Sequence, residues 1–348
     1  MRKRLNVSLA LVIALSFGIA PSPQAQASAR IEVQSVIPAT VPVTGQSLPE
    51  LAAAVAAISA GDVELVIHAP GALVPPLEVY NAVENGSIDA SLAPASFWAR
   101  TLPAAQVFAG LPFGPAPVEL LAWLRHGGGA EIWQEIIADR GLHAIICGIT
   151  TAEAGGWFRE EIKTLDDLNG LRMRFLGLGA EVMEEFGVST QLLAPTDIFT
   201  ALQLGSIDAT EFSQPAIDLS FGFYQIAQHY YLPGWHQPST LVYFIISKTK
   251  WQSLSAAQQS QLDVACDAQI QRDIAAGEAA QFAALEQLQA KGVTLHRWPN
   301  EFLAAFEEAW LNVVQRHVAN DADFAKAWKS LSMFRARYAL WQEMGYLK

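Results

Sequence analysis

The chain is poor in cysteine and in charge. Two cysteines in 348 residues exclude a disulfide-stapled small scaffold, and 22 Lys+Arg against 34 Asp+Glu exclude a nucleic-acid binder, because a formal charge of -12 repels phosphate backbones. There is no Cys-x-x-Cys and no His-Glu-x-x-His, and the seven histidines are scattered, so no zinc site is signalled and each histidine reads as a surface or packing residue. A Gly-x-x-x-x-Gly-Lys phosphate loop and a Gly-x-Ser-x-Gly nucleophile elbow are both missing. Without that elbow, His126-Gly127-Gly128-Gly129 only imitates an esterase oxyanion loop and reads as a break inside a helical region.

Long apolar runs are also scarce. The one pronounced run, Leu9 to Ala20, follows the basic Arg2-Lys3-Arg4 and precedes Ala25-Gln26-Ala27, the order of a cleaved export signal over residues 1–27. It is too short for a permanent bilayer span, and no later stretch reaches the roughly 18 apolar residues one requires. Removing residues 1–27, which carry three basic and no acidic side chains, leaves 321 residues with a net charge of -15. The expectation is an acidic, exported, non-spanning protein. Cys147 and Cys266 are free to pair in an oxidising compartment, but spacing alone does not fix their distance.

What is present is an alternation of short β-branched runs with helix-spaced apolar patterns. Strands are expected at Arg30–Ile37, Val63–Ala69, Ile88–Ala93, His143–Thr150, Leu171–Leu176, Ile207–Phe212 and Leu241–Ser247. Helices are expected at Gln46–Ala60, Val118–Ala138 and Glu181–Gly187. The fold class is therefore α/β with mostly parallel sheets, in two lobes. An internal repeat supports two lobes: Glu78–Ser91 is echoed by Asp197–Thr210, matching Gly86 to Gly205 and Asp89 to Asp208, 119 residues apart. Both copies read as a helix stopped by glycine and followed by a strand, whose carboxyl-end loop would face a ligand crevice.

Ser255 with Gln258 is a capping-box signature, opening a Pro-free run Ala256–Ala290 that would extend about 50 Å and span both lobes, with Gly277 as a candidate break. A return strand Val293–Trp298 and helices Asn300–Val318 and Ala322–Met344 complete the chain. The lobes divide as 28–150 and 151–240, with 241–348 shared between them.

Arg174 is a cation among apolar neighbours, at the carboxyl end of the strand Leu171–Leu176 and just before Gly177-Leu178-Gly179. A planar guanidinium there suits a carboxylate ligand, and an ion pair with Glu181 or a neighbour is the equally open structural reading. The N–H groups opening the helix after Gly177 are positioned to receive an anion. Glu211 follows the second repeat copy, and Glu153 lies in Thr150–Phe158. Two such carboxylates meeting at an anion site would need a cation between them, and hard oxygen ligands suit Na⁺ or Ca²⁺.

Leu165–Arg174, Ala201–Glu211 and Tyr230–Trp235 together resemble the solute receptors of tripartite ATP-independent periplasmic (TRAP) transporters. Pro70–Pro75, Gly155–Phe158 and the Tyr-Tyr-x-Pro-Gly-Trp string narrow the resemblance to the α-keto-acid and lactate branch. The resemblance implies a periplasmic-binding-protein fold of two lobes with a long spanning helix, closing over a small 2-oxo or 2-hydroxy carboxylate. It implies that Arg174 pairs with the ligand carboxylate, and that Glu211, the Phe212 carbonyl and Glu153 hold Na⁺ or Ca²⁺. At position 153 a glutamine would be expected, and at 212 a tryptophan. It further implies an apolar wall from Trp157 and Trp235, aromatic lids from Phe97 and Trp98, and delivery to the small and large membrane subunits of a permease. Exchange of a C-terminal helix between subunits is less expected, since the chain stops just after Trp341–Tyr346. The rival readings are a secreted metal-dependent hydrolase or lyase using the same carboxylates, and a sensing subunit for a signalling receptor.

Overall fold

The structure, a computed structural model, describes residues 29–347, and the expected export signal lies outside them. Among the described residues, eleven strands form two sheets. In chain order they are β1 (Ala29–Ser35), β2 (Val63–His68), β3 (Ala90–Pro94), β4 (Leu142–Thr150), β5 (Gly156–Phe158), β6 (Arg172–Arg174), β7 (Ser189–Gln191), β8 (Ala209–Thr210), β9 (His229–Leu232), β10 (Thr240–Ser247) and β11 (Thr294–Arg297). The first sheet runs β2-β1-β3-β10-β4 and the second β11-β9-β5-β8-β6-β7.

The sheets are mixed rather than mostly parallel. β1 pairs in parallel with β2 and β3, but β10 returns from the second lobe and inserts antiparallel between β3 and β4. In the second sheet β5 is antiparallel to both β8 and β9, while β6 runs parallel to β7 and β8. A chain that crosses between two sheets arrives from the opposite side, so the returning strand must run against its neighbours. β5, β7 and β9, at three or four residues each, are too short to show a period.

Eleven helices pack around the sheets: α1 (Thr44–Ile58), α2 (Val79–Glu84), α3 (Pro117–His126), α4 (Gly129–Ala138), α5 (Leu178–Glu184), α6 (Ile198–Gln203), α7 (Pro215–Phe221), α8 (Lys248–Ser253), α9 (Ala256–Ala290), α10 (Asn300–Asn320) and α11 (Ala322–Gly345). The helical region over 118–138 is divided at its glycines as expected, at Gly128, whose φ of 86° is open to glycine and strained for other residues. Gly277 does not break α9. Its missing side chain instead admits the 151–214 region: a Cβ there would stand 3.3 Å from Gln214 Nε2 and 3.5 Å from Thr151 Oγ1.

The repeat has one job in both lobes. Asp89 Oδ2 accepts the N–H of Glu32 at 3.0 Å, and Asp208 Oδ2 accepts that of Arg172 at 3.0 Å, so each copy pins the neighbouring parallel strand. Asp89 pairs with Lys250 and Asp208 with Arg172.

α9 spans both lobes. Its capping box forms as the sequence indicates, with Ser255 and Gln258 each accepting from the other's backbone. Its first half packs on α1 and β4, where Leu262, Ala265 and Cys266 join the core of the first sheet. Its far end packs on the second lobe, where Leu288 joins Ile198, Leu202 and Phe223. Cys147 of β4 and Cys266 are disulfide-bonded, with Cα atoms 4.2 Å apart. Two further crossings join the lobes, at residues 151–155 between β4 and β5 and at 233–239 between β9 and β10.

Candidate ligand-binding site

Between the sheets lies a cavity of about 70 Å³. That is room for roughly five water-sized positions, the scale of a small organic acid. The first lobe contributes the ends of β1 and β3 (Ser35, Val36, Ile37, Leu92, Pro94) and Phe97, and the second contributes Arg174, Leu176, Phe212, Ser213 and Ile217. Strand carboxyl ends and the loops after them converge here, where open α/β sheets place ligands.

Arg174 closes β6 and is 1% exposed, whereas Arg172, two residues earlier on the same strand face, reaches solvent and Asp208. Arg174 Nη1 donates to the carboxylate of Glu211 at 2.8 Å and to its backbone carbonyl at 2.8 Å, while Nε has no partner. Its guanidinium lies 5.3 Å from the Phe212 ring centre. Glu181, the alternative partner, instead meets Arg316 and His317. The anion received ahead of α5 is internal: Leu176 N–H donates to Glu211 Oε2 at 2.9 Å.

Glu153 sits on the first crossing. Its carbonyl accepts from Gly234 N–H at 2.8 Å, and a Cβ on Gly234 would come within 2.5 Å of that oxygen, so only glycine permits this approach. Glu153 Oε1 accepts from Thr240 Oγ1 at 2.9 Å, and burial pushes this carboxyl above the usual carboxylate range.

His236, on the second crossing, stands between the two acids. Its Nε2 is 3.4 Å from Glu211 Oε1 and 3.7 Å from Glu153 Oε2, and the ring is fully buried. Burial alone would lower its pKa, but the two carboxylates beside it, Glu153 and Glu211, outweigh burial and hold the imidazole up to about 9. Gly179 lets it in, since a Cβ there would meet His236 Cβ at 2.8 Å. Scattered histidines suggested packing roles, and His236 is the exception. The signal was adjacency, because it directly follows the Tyr-Tyr-x-Pro-Gly-Trp string.

Glu153, Glu211 and His236 bring ligand atoms within 4.8 Å of one another. Glu153 Oε2 and Glu211 Oε1 are buried without hydrogen-bond partners, His236 being too far or too poorly aligned to satisfy them. The Phe212 carbonyl accepts no hydrogen bond among the described residues. Two unpartnered carboxylate oxygens are hard donors of the kind that suits Na⁺ or Ca²⁺, with the His236 ring 3.4 and 3.7 Å from them.

The aromatic wall differs from expectation. Phe97 and Phe212 line the cavity, but Trp157, Trp235 and Trp98 do not. Trp157 stacks on Tyr230 at 3.9 Å behind β5 and donates to Asp218, Trp235 packs among Phe113, Phe175 and Phe306, and Trp98 stacks on Tyr80. Their indoles are too large for a cavity this small and serve as core behind it. The wall is formed instead by Val36, Ile37, Leu92, Leu176, Ile217 and Val242.

Asp218 supports this floor, accepting from Trp157 Nε1 at 2.9 Å, Tyr230 Oη at 2.8 Å and Ser213 N–H at 3.0 Å. Burial nevertheless raises its pKa to about 7, with the charges of Glu153 and Glu211 adding to the rise. The folded protein thus holds this proton more tightly than the unfolded chain. The associated stability is complete below about pH 4 and is lost as pH rises through about 7. Denaturant unfolding from about pH 5 to pH 8 is expected to show falling stability, and a shallower fall in Asp218→Asn. An equal slope in both proteins would assign the effect to other buried acids.

The protein-family model for bacterial extracellular solute-binding protein family 7 (DctP) matches residues 35–321. A monocarboxylate 2-oxoacid-binding periplasmic protein of Nostoc sp. is 32% identical over 298 residues, covering 84% of this chain and 80% of that protein. A TRAP solute-binding protein of Bordetella bronchiseptica, solved with copurified calcium and picolinate, superposes with a TM-score of 0.89 at 30% identity, covering 91% of this chain and 94% of that one. One from Colwellia psychrerythraea with calcium and pyruvate gives 0.87 at 27% identity, covering 91% and 97%. One from Pseudoalteromonas atlantica with sodium and pyruvate gives 0.86 at 27%, covering 91% and 96%. No described helix is long and apolar enough to cross a membrane. The chain therefore belongs to the DctP family, the extracytoplasmic solute receptors of TRAP transporters.

Proposed function

We propose that this receptor captures a small monocarboxylate bearing a 2-oxo or 2-hydroxy group, such as pyruvate or lactate, together with a metal ion. The observation that carries the reading is the buried Arg174, its Nε unpartnered, at a cavity of about 70 Å³ beside two carboxylate oxygens that lack partners. Arg174 binds the ligand carboxylate, already oriented by Glu211. Glu153, Glu211 and the Phe212 carbonyl would hold the ion, which would supply positive charge to the anionic ligand. Thr240 and Leu176 N–H fix the two acids against their mutual repulsion. With glutamate at 153 in place of glutamine, the added negative charge favours Ca²⁺ over Na⁺.

Residues 28–150 and 151–240 act as the two jaws, and α9 and the C-terminal helices brace them. Closure removes the ligand from water and presents a joined surface to the membrane subunits. Nothing in this sequence of events forms or breaks a covalent bond, so the chain acts as a carrier rather than an enzyme. Residues 1–27 direct export to the periplasm and are removed there.

Calorimetric titration of pyruvate into chelator-treated protein is expected to show weak binding that added Ca²⁺ restores by about tenfold or more, with Na⁺ less effective. Affinity indifferent to both ions would remove the metal, and conversion of the acid to product would replace the carrier with a lyase.

A further inference from the structure

The cavity has a second acid that the anion-binding reading does not use. Asp273 lies on α9, 4% exposed, on the buried stripe Leu262, Cys266, Gln269, Asp273 and Gly277, and it lines the cavity beside Thr44, Ser47 and Thr150. Its Oδ1 accepts from Ser47 Oγ at 2.8 Å and Gln269 Nε2 at 2.9 Å, and its Oδ2 only from Ile149 N–H at 3.3 Å. Burial raises its pKa to about 6, which leaves it ionised at neutral pH.

Among the residues lining the cavity Arg174 is the one cation, and it is already shared with Glu211. A ligand whose carboxylate meets Arg174 finds at the α9 wall no second cation but a fixed carboxylate, held by three neutral donors. Like charges in a buried cavity, poorly screened by solvent, repel strongly.

Resting on the monocarboxylate reading above, we infer that Asp273 is a specificity-determining residue: it rejects ligands carrying a second carboxylate and leaves neutral tails, apolar or hydroxylated, unopposed. Here selectivity comes from an introduced repulsion, separate from the attraction at Arg174.

The test compares two acids with the same number of heavy atoms, 2-oxoisovalerate and the dianion 2-oxomalonate, by calorimetry with Ca²⁺ present. Wild-type protein is expected to favour the monoanion by about two orders of magnitude, and Asp273→Asn to shrink that ratio about tenfold or more while binding pyruvate within about threefold of wild type. Asp273→Glu keeps the charge and is expected to keep the discrimination. A purely structural role would weaken both ligands together and leave the ratio unmoved, which would overturn the inference. Should the asparagine variant fail to fold, wild-type protein titrated with the monoamide of 2-oxomalonate decides the matter: amide binding no tighter than the dianion overturns it, and amide binding at least about tenfold tighter supports it. Failure of wild-type protein to bind pyruvate would instead sink the monocarboxylate reading beneath it.

Discussion

Arg174→Ala is expected to abolish binding of short organic acids, with affinity for pyruvate falling by about two to three orders of magnitude. Two effects combine in that number. The guanidinium supplies the charge that meets the ligand, and it also compensates the fully buried Glu211, which without it would keep only the His236 ring at 3.4 Å as a charged partner. Removing one partner of a buried pair costs about 3–5 kcal/mol in stability where the other is left uncompensated, and the nearby His236 ring makes that figure an upper bound here. Arg174→Lys separates the two contributions. Lysine keeps a cation beside Glu211 but not the planar fork, so near-normal melting with affinity lowered about tenfold or more is expected by thermal shift and calorimetry. Full affinity in a folded alanine variant would overturn the anchor assignment.

The second large effect is on stability. The Cys147–Cys266 bond closes a loop of 119 residues and fastens α9 to β4. Loop-closure entropy for a span of that size gives about 4–5 kcal/mol. The Cys147→Ala, Cys266→Ala double variant is therefore expected to melt about 10 °C below the oxidised protein, with reductant producing the same shift in wild type. A shift under about 2 °C would mean that the apolar packing of Leu262 and Ala265 holds this half of α9 without the bond.

How much of this was legible beforehand follows from the range over which each signal acts. α9 was readable to its last residue because capping box, helix propensity and absence of proline are all local, and its bounds are Ala256 and Ala290. Arg174 stood out because a cation inside an apolar strand is locally anomalous. The antiparallel insertion of β10 was hidden, since strand direction is set by where the chain has travelled and not by its own residues. His236 was hidden for a related reason: its neighbours are Glu153 and Glu211, 83 and 25 positions away in the numbering. The tryptophans misled because a large aromatic near a site reads the same whether it faces the ligand or supports the wall behind it. Asp273 was within reach, as an acid standing at helical spacing on the stripe that begins with Leu262 and Cys266, had that stripe been traced.

Glu153 and His236 both lie on chain segments that cross between the two sheets, which become the pivots if the halves close over a ligand as proposed. Many gripping devices keep the pivot apart from the fingers; in this receptor the pivot carries part of the grip. Twisting residues 151–155 or 233–239 necessarily displaces these two side chains relative to Glu211, so the angle between the halves and the hold on the cargo vary together as one coordinate. Unloading then requires no separate trigger. Under the proposed carrier role, a membrane partner that held the halves apart would by the same displacement loosen the acid.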